Sequence, residues 1–103
     1  MANSVVIFLA GNSTVEFQKQ CLQEFKESEF KNLDLLHHLT AGFKSLFTEM
    51  CYVGIDELRQ SCGGAGFLKS AGIGDWWTDI APFPTFEGVN VVMLQQSSRM
   101  LFK

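Results

Sequence analysis

A chain of 103 residues holds enough polypeptide for one small domain. Its 47% hydrophobic and 18% charged residues exclude a disordered segment, and a net charge of −3 with no Lys/Arg cluster excludes a nucleic-acid surface. Ten Phe and two Trp require either a dense aromatic core or apolar faces offered to a partner.

The first predicted element covers about 4–27. Val5, Phe8, Leu9, Val15, Cys21, Leu22 and Phe25 roughly follow helical spacing. Gly11-Asn12-Ser13 interrupts them, and Ser13 with Glu16 fits a capping box. The segment is therefore either one helix with a weak spot or a short apolar lead-in before a helix. The charged stretch 25–32 is expected to turn the chain. The second element, 33–62, is the clearest helix. Leu35, Leu36, Leu39, Phe43, Leu46, Phe47, Met50, Val53 and Leu58 recur at three- and four-residue steps. Asn32 or Asp34 can cap its start, and Gly63-Gly64 can end it.

The third segment, 63–87, is expected to be a loop, with a helical turn from Asp75 to Ile80. It holds five of the nine glycines and both prolines, and a loop of that length is usually functional. The fourth, 88–102, reads as helix again. The fold class that results is all-α: a partial helical bundle with a long glycine-rich loop before its last helix, in a single domain or fragment over 1–103.

Three cysteines, Cys21, Cys51 and Cys62, make an odd count with no Cys-x-x-Cys or Cys/His ligand spacing. Free thiols, a reducing intracellular compartment and no metal site are expected. The apolar run Val5 to Ala10 is too short to span a bilayer and follows no basic residues, so neither a membrane span nor a signal peptide is expected. Lys19 is the first basic residue and comes after Glu16, unlike a transit peptide. The terminal Leu-Phe-Lys is not the Ser-Lys-Leu address.

Two stretches can carry chemistry. Gln60-Ser61-Cys62-Gly63-Gly64-Ala65-Gly66-Phe67 lets a backbone come close to another group, because no Cβ intervenes at its glycines. Its amides could bind a phosphate or a ribose, or the stretch simply ends a helix. Thr85-Phe86-Glu87-Gly88-Val89-Asn90 sets one carboxylate among apolar residues at a helix start. Burial would raise its pKa and make it a better base, while the positive helix end would act oppositely. The plainer reading is an ordinary acid in a first turn. His37-His38 read as surface or packing residues, and Trp76-Trp77 either line an apolar pocket or pack under the loop.

From Leu39 to Phe102 the sequence closely resembles the acyl-CoA oxidases of the acyl-CoA dehydrogenase superfamily. The stretches that carry the resemblance run in order without a gap. They are Leu39-Thr40-Ala41-Gly42-Phe43-Lys44, Gly54-Ile55-Asp56-Glu57-Leu58-Arg59, Cys62 to Leu68, Gly72-Ile73, and Thr85 to Gln95. The resemblance implies an internal segment of the family's C-terminal helical region. It also implies FAD-dependent α,β-dehydrogenation of a fatty acyl-CoA to the trans-2-enoyl-CoA, with oxygen reduced to hydrogen peroxide. Glu87 falls on the family glutamate that removes the α-proton while a hydride leaves the β-carbon, and its amide helps hold the thioester carbonyl. Gln60, Gly63 and Gly64 would lie against the FAD of the neighbouring subunit in a dimer, and Asn90 would lie near the adenosine end. Peroxisomal localisation follows by the same resemblance, with the mitochondrion as the alternative.

The chain departs from the family pattern at Ala65, Phe67 and Val89, each of which stands where a polar residue is usual. It also lacks the β-domain that covers the flavin ring. By itself it is not expected to enclose FAD or acyl-CoA or to be active, so other chains, or a homologous subunit, would complete a site. The alternative is a non-catalytic helical subunit or interaction module derived from such an enzyme.

Overall fold

A computed structural model describes residues 2–27 and 32–102 of the chain. Helix α2, Leu33–Ser61, is the spine on which the rest is laid. At 1.5 Å per residue its 29 residues extend about 43 Å. The three- and four-residue spacing gives it apolar residues on most of its circumference, and helices approach it from more than one side.

Helix α1, Ala2–Lys26, is continuous through Gly11-Asn12-Ser13. No helix starts at Ser13. Thr14 turns its hydroxyl back to the Ala10 carbonyl at 2.7 Å, a bond that a side chain makes inside a helix. The chain then reverses, and α1 and α2 form a hairpin. Residues 28–31, the centre of the expected charged turn, lie outside the described residues. On either side of them, the Asn32 amide donates to both Glu24 carboxylate oxygens at 3.0 Å. Asn32 is thus the N-cap of α2 by position, but its side chain makes no cap bond.

Past Ser61 the structure differs from the expected loop. Three short helical pieces follow: α3 (Gly64–Phe67), a 3-10 turn (Lys69–Ala71) and α4 (Ile73–Ile80). Only the stretch 81–89 runs in turns before α5, Asn90–Leu101. Three glycines of the expected loop, Gly64, Gly66 and Gly74, lie in helices. Gly66 is there for packing: a Cβ would stand 2.0 Å from the Arg59 carbonyl oxygen. Gly63 is the true breaker, with φ +60. Helix α5 starts at Asn90 and not at Gly88, because Gly88 has φ 109 and Val89 is extended.

Helices α4 and α5 follow one another along α2 in the opposite direction. Trp77 meets Tyr52 at a ring distance of 5.5 Å, Asn90 meets Thr48, and Ser97 meets His38. The α2–α5 contact is close because its residues are small: Ala41 and Ser45 on α2 and Ser97 on α5 are all buried. A Cβ on Gly42 would meet the Ser97 hydroxyl at 3.2 Å. Among the described residues there is no strand.

The assembly has almost no core of its own. Cys21 and Ala41 are its buried hydrophobic residues among those described. The accessible surface is 7646 Å², against about 5,800 Å² for a compact protein of 11.5 kDa. The radius of gyration is 17.1 Å, against about 13 Å for a compact chain of this length. Much of the excess is apolar. On α1 the residues turned inward are Ile7, Ala10, Gly11, Thr14, Phe17 and Cys21. Of the apolar stripe seen in the sequence, Val5, Phe8, Leu9, Val15, Leu22 and Phe25 are exposed, and Cys21 alone is buried. At 100° per residue the two faces lie roughly 125° apart.

Candidate functional site

The turn that carries Glu87 is built from local constraints. Its prolines supply carbonyls without needing partners for an N–H. The Pro82 carbonyl accepts the amides of Thr85 and Phe86, both at 2.9 Å, and the Pro84 carbonyl accepts the amide of Asn90 at 3.0 Å. Phe83 and Phe86 meet edge to face at 4.7 Å and brace the turn. Glu87 then takes φ 55, the one positive φ on a non-glycine among the described residues. For a residue with a side chain that region costs about 1–2 kcal/mol. Glu87 is exposed, and its amide takes part in none of the backbone bonds of the described turn.

The turn is tied to α2 by polar side chains. Lys44 Nζ donates to the Gly88 carbonyl at 2.6 Å and to Asn90 Oδ1 at 2.9 Å. Asn90 Nδ2 donates to the Ser45 carbonyl at 3.2 Å and to Thr48 Oγ1 at 3.0 Å. The Ser45 hydroxyl, 2% exposed, is within 3.2 Å of the carbonyls of Ala41 and Asn90. Asn90 therefore uses its side chain on α2 and acts as a bolt between two helices. Lys44, Ser45 and Thr48 were not singled out in the sequence. The available signal was polar and small residues recurring on one face of an otherwise apolar helix.

The glycine stretch lies at the far end of α2. The Gln60 carbonyl accepts the Gly63 amide at 2.9 Å, which closes the helix end. Gln60 Nε2 donates to Asp56 Oδ2 at 2.7 Å, while Arg59 grips Asp56 Oδ1 with Nε at 3.0 Å and Nη2 at 2.6 Å. The hydrogen bonds from Arg59, then from Gln60, hold the Asp56 carboxyl below the usual aspartate range. Gly63 and Gly64 are exposed, and a Cβ on Gly64 would meet nothing within 4 Å. The two groups are far apart. Gly88 is held by Lys44, and Gln60 stands sixteen residues further along α2, about 24 Å away along the axis. One chain does not gather Glu87 and the Gln60–Gly64 surface into a single pocket.

His38 Nδ1 lies 2.8 Å from both the carbonyl and the hydroxyl of Ser97, and that hydroxyl reaches the His38 carbonyl at 3.3 Å. A proton on Nδ1 satisfies this set best. Trp77 packs on Tyr52 with its indole N–H buried and unpartnered, while Trp76 is exposed. Cys21, Cys51 and Cys62 are free thiols, and burial, with the charge of Glu24, pushes the Cys21 thiol up. Among the described residues no three His, Cys, Asp or Glu side chains gather as a metal site, and no helix is long and apolar enough to cross a membrane.

The structure is thus an all-α segment with an exposed glutamate in a strained turn and a bare glycine surface at a helix end. Comparison with known proteins supplies the class, a helical segment of acyl-CoA oxidases. Residues 1–102 match the family described as acyl-CoA oxidase, C-alpha1 domain. The chain is 34% identical over all its 103 residues to peroxisomal acyl-coenzyme A oxidase 1 of Rattus norvegicus, covering 16% of that protein. It is 34% identical over 103 residues to acyl-coenzyme A oxidase acox-1.1 of Caenorhabditis elegans, covering 15% of it. It is 42% identical over 76 residues, 74% of this chain, to peroxisomal acyl-coenzyme A oxidase 1 of Arabidopsis thaliana, covering 11% of that protein. The chain belongs to the acyl-CoA oxidase family, as a segment of its C-terminal helical region. It spans about a sixth or less of the length of these relatives.

Proposed function

We propose that this segment supplies the α-proton base of an acyl-CoA oxidase, with Glu87 in that role. The observation that carries the proposal is the conformation of Glu87. An exposed carboxylate is held at φ 55, one residue before a clamped peptide, at a local backbone cost. Strain of that kind is understandable where a side chain must point in one direction.

The chemistry asked of this chain is limited and suits its residues. Glu87 accepts the proton from the carbon next to the thioester. Its amide, outside the backbone bonds of the turn, can donate to the thioester carbonyl and stabilise the charge that develops there. A bound FAD would supply the acceptor for the β-hydride and the route of its electrons to oxygen. The residues proposed to face it are Gly63 and Gly64, with Gln60 beside them. The fit rests on Gly64, where a backbone open to 4 Å lets a cofactor lie directly on the chain. Gln60 is pre-set by its bond to Asp56. Asn90 contributes through the turn it fastens and not through a free amide, so its proposed place near the adenosine end is an indirect one.

The 24 Å division along α2 suits a dimer in which Glu87 serves one active site and Gly63–Gly64 lie against the cofactor of another. The exposed apolar face of α1 supports the need for further domains or subunits. By the names of the relatives, the compartment proposed is the peroxisome.

The test is made on the assembled protein that contains this segment. The expected preparation is yellow, shows flavin absorbance, and produces one hydrogen peroxide for each enoyl-CoA formed from a saturated acyl-CoA. Assembly with every partner chain but no flavin would overturn the proposal and support a non-catalytic interaction module, which Ala65 and Val89 would suit.

A further inference from the structure

Lys44 stands at the middle of α2, where a lysine would ordinarily lay its stem on the helix and leave its ammonium in water. Here the residue is half-buried, and two of the contacts of its ammonium are neutral oxygens of the junction that begins at Glu87. These are the Gly88 carbonyl at 2.6 Å and Asn90 Oδ1 at 2.9 Å. The network closes on itself. Asn90 Nδ2 donates to Thr48 Oγ1 at 3.0 Å, and the Thr48 hydroxyl in turn reaches back to the Lys44 carbonyl at 2.8 Å.

The junction needs such a hold. Gly88, with φ 109, has no side chain to limit its rotation. Its carbonyl is two peptide planes from the strained φ of Glu87. With that carbonyl fixed, the peptide between Glu87 and Gly88 has less room to turn, and Glu87 has less freedom to relax toward an ordinary backbone conformation. Lys44 reaches this carbonyl from another helix, so the restraint does not depend on the turn itself.

We propose that Lys44 is the positioning residue of the site: it fixes the Gly88–Val89 peptide and so the direction in which the Glu87 carboxylate leaves the chain. The inference rests on the reading of Glu87 as the base. Lys44 touches neither substrate nor cofactor in this scheme. Its effect is on how often Glu87 is in reach of the α-carbon, which is a property of the bound complex and so of kcat.

The experiment uses the assembled, flavin-loaded oxidase that contains this segment, with Lys44→Met, Lys44→Arg and Glu87→Gln made in parallel. Methionine keeps the stem and removes all donors. Misplacement of a catalytic group by an ångström can cost about a hundredfold, so Lys44→Met should lower kcat about ten- to a hundredfold. KM for acyl-CoA should change less than about threefold, because ground-state binding is left alone. Lys44→Arg, which keeps donors at the end of a long stem, should recover at least part of the loss. Amide hydrogen exchange over 88–93 should speed up in Lys44→Met while α1 is unchanged. If Lys44→Met does not assemble, Lys44→Gln takes its place with the same expectations. A folded Met or Gln variant with unaltered kcat, or one in which Arg restores nothing, overturns the inference. An active Glu87→Gln enzyme instead overturns the reading of Glu87 on which it stands.

Discussion

Two glycines in one turn should respond in opposite ways to the same substitution, and the difference separates folding from function. At Gly66 an added Cβ would sit 2.0 Å from the Arg59 carbonyl oxygen, 3.0 Å from its carbon and 3.0 Å from Cys62 Cβ. A carbon and an oxygen need more than 3 Å, so α3 would have to move by over an ångström from the end of α2. The obstacle is backbone, which cannot swing aside as a side chain can. Gly66→Ala should therefore destabilise the protein by about 2–3 kcal/mol, in the range of overpacked cores. At Gly64 an added Cβ meets nothing within 4 Å and the backbone is helical. Within this chain, Gly64→Ala should stabilise α3 by up to about 1 kcal/mol. If Gly64 faces the cofactor, however, the same methyl stands between backbone and FAD. Denaturant midpoints and flavin retention, both measured on the assembled oxidase, check the pair. The expected result is that Gly66→Ala loses stability and that Gly64→Ala keeps stability but loses flavin. A Gly64→Ala protein with full flavin occupancy would refute the placement of FAD on this turn. A Gly66→Ala protein of undiminished stability would refute the packing argument.

Three further outcomes are expected. Asn90→Ala removes side-chain bonds to four residues of α2, Lys44, Ser45, Thr48 and Glu49, and should cost about 1–3 kcal/mol in chemical denaturation. The Asp56 carboxyl is depressed by Arg59 and Gln60. Its contribution to stability is therefore complete above the ordinary aspartate pKa of about 3.9, and is lost as pH falls through the lower folded value. A carboxyl titration followed by NMR should show Asp56 with a midpoint below that of a free aspartate, and Arg59→Gln should move it back up. The 103-residue chain alone should associate in gel filtration, through faces such as Val5, Phe8, Leu9, Leu22 and Phe25 on α1. A clean monomer peak with native helicity would show that those faces are stable in water.

Much of this was legible in the residues. The spacing of α2 is so regular that its start at Leu33 and its end beside Gly63 can be read directly. The strained turn at Glu87 stands where the Pro-Phe-Pro and Glu-Gly pattern puts a change of direction. The stretch 63–87 reads as loop because five glycines and both prolines crowd into it. Glycine breaks a helix at Gly63, where φ is positive, but at Gly66 it is the only residue that lets one helix end lie on another. The apolar character of the α1 stripe is legible, but its direction is not. A hydrophobic face says that something covers it and does not say whether the cover is in the same chain. Lys44, Ser45 and Thr48 were hidden for a related reason. Polar residues on a helix read as solvated until a second helix is placed against them. His38, Ala41, Ser45 and Thr48, at steps of three, four and three, mark that second face in retrospect.

The most direct measurement of the role of Glu87 is exchange of the α-hydrogen of a bound acyl-CoA analogue that cannot be oxidised at its β-position. In deuterated water the assembled, flavin-loaded protein should incorporate deuterium at that carbon, and mass spectrometry reads the gain. Glu87→Gln should keep its flavin absorbance and lose the exchange by at least about a hundredfold, the lower range for removing a general base. Exchange at the normal rate in a yellow Glu87→Gln protein would contradict the assignment of Glu87 as the base.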